Sequence, residues 1–252
     1  MNLTFHFFDY GRRHWALLAV MMAMANMPVM AETITLSPDQ DNTLYERDAG
    51  DLSNGAGSSL FFGQTGANAN FVLRRALLRF DLSSIPPGSV IEQVELTINV
   101  DLVPQNATGF EATLHRVQNA WGEGSSVAPG PGGGGGAATA GDATWLHTFF
   151  DNQFWMTPGG DFMAQPSAST ALNNAVGSFT FASSPGLIGD VQAWVNQPDQ
   201  NFGWIILGEE NTPENARRIG SRENSALAPI LQIQFERAPE LPEARPVPVF
   251  SN

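Results

Sequence analysis

The sequence predicts an all-β fold, a two-sheet β-sandwich or jelly roll with one short helix and a long Gly/Trp-rich loop. Three observations lead there: one long segment of apolar–polar alternation, many short apolar runs between Gly, Pro, Asn and Ser clusters, and a single stretch of helical periodicity. The alternation runs from Val90 to Asp101, where Val90, Val94, Leu96, Ile98 and Val100 interleave with Gln93, Glu95, Thr97, Asn99 and Asp101. Period two buries one face and wets the other, as in an antiparallel sheet packed on one side. Glu92 is the single break in that pattern.

Upstream, Phe71 to Asp81 places Ala76, Leu78 and Phe80 on one face and Arg75, Leu77, Arg79 and Asp81 on the other, and Ser83 to Gly88 turns the chain. Further strands are expected at 33–36, 43–47, 59–62, 112–117, 178–182, 202–207, 217–221 and 230–235. Residues 202–207 are apolar on both faces, the mark of a central strand covered on both sides. The helix is carried by Leu187, Ile188, Val191, Trp194 and Val195, with Ser183 and Ser184 ahead of Pro185 as cap residues and Pro198 as its stop; Trp194 is assigned to the core. Gly132–Gly136 are five consecutive glycines, predicting a mobile loop that interrupts the domain. A phosphate cradle lacks its context there, since no strand feeds the glycines and no Lys follows.

The 252 residues are long enough for a large β-domain. All 12 basic side chains are Arg, against 25 acids, for a net charge of -13, and a field of that sign opposes nucleic acid and anionic lipid as partners. Without Lys or Cys there is no Schiff base, no thiolate and no disulfide, which leaves hydroxyl, carboxylate and imidazole chemistry. A monomer is expected. Arg12 and Arg13, the apolar run from Trp15 through Met27, and Val29-Met30-Ala31 read as a secretory signal peptide over 1–31, cleaved after Ala31. Residues 32–236 are then the folded domain. The tail at 237–252, with Pro239, Pro242, Pro246 and Pro248, reads as a Pro-rich linker. Its final PVPVFS resembles the motif that opens bacterial C-terminal sorting tails, so membrane contact is expected only through export or a lost sorting tail.

Trp121, Trp145 and Trp155 crowd a loop-like segment with His147 and Asp142 close by, a set that can stack on sugar rings and hydrogen-bond their hydroxyls. The same rings can instead form a satellite core, because a loop this long needs its own filling, and that alternative is favoured. Asp39, Asp41 and Asn42 form a compact oxygen cluster of the kind that binds calcium, the one candidate cofactor; turn-forming residues after Pro38 explain the same letters. Glu123, Asp142, Asp151 and Asp161 lie in one section of sequence, where two carboxylates across a cleft could cleave glycosides. No HExxH or GxSxG occurs.

In their order along the chain, QDNTLYER, RRALLRFDLSSIPPGSVIEQVELTI, LHRVQNAWGEGSS, GDATWLHTFF and RRIGSRENSALAPILQIQF resemble the DNRLRE family of secreted bacterial domains, over roughly Glu32 to Phe235. The naming motif falls on Asp41, Asn42, Leu44 and Glu46, while Thr43 and Tyr45 stand where the motif has Arg. The resemblance implies a jelly-roll β-sandwich, and its wider group includes modules classified as carbohydrate-binding. The expected function is therefore a secreted or cell-surface, non-catalytic β-sandwich that binds extracellular or envelope polysaccharide. A structural surface or matrix protein is the alternative, and a glycan-active enzyme the second alternative.

Overall fold

Alternation on this scale closes into one antiparallel system. The computed structural model describes residues 31–238, and these hold β1 (Ala31–Leu36), β2 (Gln40–Tyr45), β3 (Leu52–Ser53), β4 (Ser59–Gln64), β5 (Leu73–Arg79), β6 (Val90–Leu102), β7 (Phe110–Arg116), β8 (Gly136–Ala137), β9 (His147–Phe149), β10 (Gln153–Phe154), β11 (Ala168–Leu172), β12 (Gly177–Phe181), α1 (Pro185–Asn196), β13 (Trp204–Leu207), β14 (Arg217–Gly220) and β15 (Ile230–Glu236). Residues 1–30 of the expected leader and most of the expected tail lie outside the described residues, and Ala31, the last residue of that leader, is the first of β1.

Eleven strands make a large curled sheet in the order β1-β15-β6-β14-β4-β5-β13-β7-β11, with β12 on β6 and β2 on β5. Two ribbons, β9–β10 and β3–β8, lie apart from it. The curl turns on β4, whose Leu60–Phe62 pair with β14 while its Gly63 and Gln64 pair with β5. Gly63 takes φ +101°, and a Cβ there would sit 2.8 Å from the Asn215 carbonyl oxygen. Only glycine makes that bend without strain.

The curl brings the inner faces of distant strands together. Leu60 and Phe62 of β4, Ala76 and Leu78 of β5, Leu96 and Ile98 of β6, Ile206 of β13 and Leu231 of β15 share one core. α1 closes it with Leu187, Val191, Trp194 and Val195, the stripe expected from the sequence. Ser184 caps the helix by accepting from Leu187 N–H at 3.1 Å. The helix also caps the sheet edge, since Gln192 Oε1 accepts from Ile91 N–H and Ser183 Oγ from Val94 N–H.

Two expectations change. Val90 was assigned to the buried face, but Val90 is 58% exposed and Ile91 only 4%. Gln234 of β15 pairs with Gln93 and Phe235 with Ile91, so the register shifts across Glu92. The break in alternation is a β-bulge, and side-chain parity inverts on its N-terminal side. The polyglycine stretch is laid down on the protein instead of hanging free. Gly136 pairs with Ser53, Tyr45 Oη donates to the Gly132 carbonyl, and Arg74 donates to the Gly133 carbonyl. Gly135 at φ +72° lies where a Cβ would be 3.1 Å from Tyr45 Cγ, so close approach and backbone sign both select glycine.

The bulge makes a sharp prediction. Ile91→Asp should cost about 3 kcal/mol or more, because it buries an unpaired carboxylate, whereas Val90→Asp should stay within about 0.5 kcal/mol. Denaturant midpoints of the two variants test this, and the reverse ranking would restore unbroken alternation.

Candidate functional site

The outer face of the β5–β13 region is also apolar, which is where the long loop acquires its role. Leu77 and Ile205 sit one residue from the core-facing Leu78 and Ile206, so they point to the opposite side. There they join Leu44, Val117, Ala143, Trp121, Trp145 and Trp155 in a second core. Trp121, Trp145 and Trp155 are 3%, 8% and 5% exposed. The indole N–H of Trp121 donates to the Phe202 carbonyl at 2.8 Å, and that of Trp155 to the Thr144 carbonyl at 2.9 Å. Arg75 lies over Trp145, its guanidinium 5.0 Å from the ring centroid, and forks onto Glu210 at 2.8 and 2.9 Å.

The polar members of the expected sugar site are buried as well. His147 packs against Phe150 and Phe154 with Nδ1 2.9 Å from Thr144 Oγ1. Asp142 is fully buried and accepts from Thr139 N–H and Oγ1, closing the end of the polyglycine segment. Gly124, at φ +73°, passes so near that a Cβ would lie 1.5 Å from Asp142 Oδ1. The surface expected of these five residues is thus interior. The physical reason is that Leu77 and Ile205 would otherwise face water, and the aromatic loop is what covers them.

Asp39, Asp41 and Asn42 are adjacent in sequence but diverge in space. Asp39 forks onto Arg79, while Asp81 accepts from Ser83 N–H and Oγ. Asn42 is a buried node: its Nδ2 donates to the Glu123 carbonyl at 2.9 Å and its Oδ1 accepts from Asn54 N–H at 3.1 Å. That joins β2 to the start of the loop. No group of three or more His, Cys, Asp or Glu that could hold a metal ion occurs among the described residues. No helix among them is long and apolar enough to cross a membrane.

Asp41 is the unusual member. It is fully buried, its Oδ2 accepts from Arg222 N–H, and its Oδ1 has no hydrogen-bond partner. Around it, Glu123 accepts from Asp41 N–H and from the Arg222 guanidinium, and Glu223 pairs with Arg222 from the other side. Burial, reinforced by Glu223 and Glu123, pushes the Asp41 carboxyl up to about 8. Among the other acids of the aromatic loop, Asp151 is exposed and Asp161 is engaged. Asp161 accepts from Asn119, Met156 N–H and Thr157 N–H. His115, in β7, has Met163 and Thr113 as partners, and burial lowers its pKa. The sequence carried no sign of the Asp41–Glu123–Arg222 contact, which joins three separate segments.

Compared with known proteins, the chain matches no family model and no curated protein.

The Asp41 environment sets a pH dependence. From about pH 4 to pH 8 the unfolded chain has lost this proton and the folded chain keeps it, so the contribution of Asp41 to stability falls across that window and levels off above it. Asp41→Asn replaces the protonated carboxyl with a neutral group of the same shape. Its melting temperature should match wild type near pH 4 and exceed it progressively towards pH 8; a gap that is constant with pH would exclude a raised carboxyl.

Proposed function

We propose that the protein is an exported, non-catalytic β-domain that serves a structural role at the cell surface or in the surrounding matrix, with the jelly-roll sandwich form of DNRLRE-type domains. The observation that carries this reading is the burial of Trp121, Trp145 and Trp155 together on Leu77 and Ile205. A sugar platform needs rings with a face open to solvent, and here the rings hold a loop onto a sheet.

Three further features support it. The curl of the sheet and its shared inner core suit two stacked layers. The residues on the DNRLRE-like motif act as structure: Asp41 and Asn42 hold the loop, Leu44 enters the second core, and Glu46 accepts from Leu73 N–H at 2.6 Å. Of the four acids on which a glycoside-cleaving enzyme would draw, Glu123, Asp142 and Asp161 are occupied by the protein's own donors, which leaves exposed Asp151 without a second free carboxylate from that set. Calcium has no role in this reading, and polysaccharide recognition, if it is to be found, belongs on a surface other than the tryptophans.

The test joins export to packing. Expressed with its own leader in a bacterial host, the protein should be recovered outside the cytoplasm with Glu32 as its first residue, and should release no reducing ends from a polysaccharide panel. Trp145→Ala should lose about 3–5 kcal/mol of stability, the usual cost of emptying a large aromatic site in a core. Intact leader in the cytosol, sugar turnover, or a Trp145→Ala protein as stable as wild type would contradict the proposal.

A further inference from the structure

We infer that a groove beside the N-terminal turn of α1 binds a neutral, polyhydroxylated ligand, a hexose unit of an oligosaccharide. The groove measures about 420 Å³, within the roughly 300–1,000 Å³ usual for small-molecule sites. Arg116 from the end of β7 and Asp190 from α1 line it, with Gln165, Gln200, Phe202 and Pro166. None of these was singled out from the sequence.

What distinguishes the groove is how its charged pair is held. Asp190 Oδ2 accepts from Ser167 Oγ and from the indole N–H of Trp204 at 2.8 Å, so a core tryptophan fixes the carboxylate. Arg116 lies 5.5 Å from the ring centroid of Trp194, which packs edge-on against Trp204 at 4.6 Å. Both charged groups therefore rest against buried core tryptophans, the kind of support that a binding constellation requires. Yet Arg116 Nη1 stands 3.7 Å from Asp190 Oδ1, an ion pair beyond hydrogen-bond length, and the Arg116 guanidinium donates no hydrogen bond to any described residue. A fixed guanidinium and a fixed carboxylate oxygen, side by side with unused capacity, match adjacent hydroxyls: one accepts from Arg116 while its neighbour donates to Asp190 Oδ1.

The chemistry of the ligand follows from charge and lining. Asp190 offsets Arg116 and the whole chain is at -13, so an anion is disfavoured and an uncharged ligand is not. Gln165 and Gln200 are exposed amides that can both donate and accept, as a ring of hydroxyls demands. Phe202 and Pro166 supply apolar surface for the C–H face of a pyranose. The inference rests on the export part of the reading above, which puts the domain where polysaccharide is present, and not on the role of the aromatic loop.

Titration calorimetry of the purified full-length protein with cellohexaose, maltohexaose, laminarihexaose and an oligoguluronate tests it. At least one neutral hexasaccharide should bind at micromolar to millimolar concentration and more tightly than the oligoguluronate. Arg116→Gln and the pair Gln165→Ala with Gln200→Ala should each weaken binding about tenfold, the scale of one or two hydrogen bonds, the glutamine pair at unchanged melting temperature. Gln232→Ala, on the exposed β15 surface, should bind as wild type. No binding of any neutral sugar, binding indifferent to the groove variants, or preference for the oligoguluronate would overturn the site. A folded, exported protein that binds none of these sugars would leave the structural reading standing, so the two failures are separable.

Discussion

The constraint on which the rest of this molecule depends is the burial of neighbouring strands on both faces. In β5 and β13, successive residues are apolar: Leu77 and Leu78, Ile205 and Ile206. A sheet curled around one core can hide only one of each pair, because adjacent side chains point to opposite sides. The other face needs a cover, and among the described residues no large second sheet or further α-helix supplies one. The segment between β7 and β11 does so with its own tryptophans. Their burial is worth more than a flexible loop could gain by leaving them in water, since each ring removes a large apolar area.

A cover whose only regular structure is the short β8, β9 and β10 has to satisfy most of its backbone by other means, and the polar residues beneath it do that work. Asn42 and Glu123 tie its start to β2, Asp142 gathers the end of the polyglycine segment, and Arg75 braces Trp145 against Glu210. Buried polar groups of this sort are tolerable only when bonded, which makes the network demanding as well as cohesive. Asp41 is the exception, with one oxygen unpartnered beside two other carboxylates. Burial there raises its pKa and favours the neutral form.

How much of this could be read from the residues depended on the distance over which each feature is set. The helix was legible because its cap, stripe and stop lie within one short segment ending at Pro198. The doubly covered β13 was legible from a run apolar on both faces, and the filling of the long loop from the rule that such loops need a core. The ASTAL segment of β11 was not, since small residues at a sheet edge carry no apolar alternation. The bulge at Glu92 looked like a flaw in a pattern until β15 supplied the register. Asp81 is the nearest acid to Arg79 along the chain, whereas strand pairing delivers Asp39. The Arg116–Asp190 pair was beyond reach for the same reason, as β7 and α1 meet only once the sheet has curled.

The account rests on the aromatic cover being as much a part of the folded core as the sheet below it. Hydrogen exchange at the indole N–H groups of Trp121 and Trp155, followed by NMR in the native protein, measures this directly. If the cover is core, both protons exchange only with global unfolding, at the same free energy as the backbone amides of Leu77 and Ile205. Exchange of the indoles within minutes while those amides stay protected would mean that the loop opens on its own, and the central claim would fail.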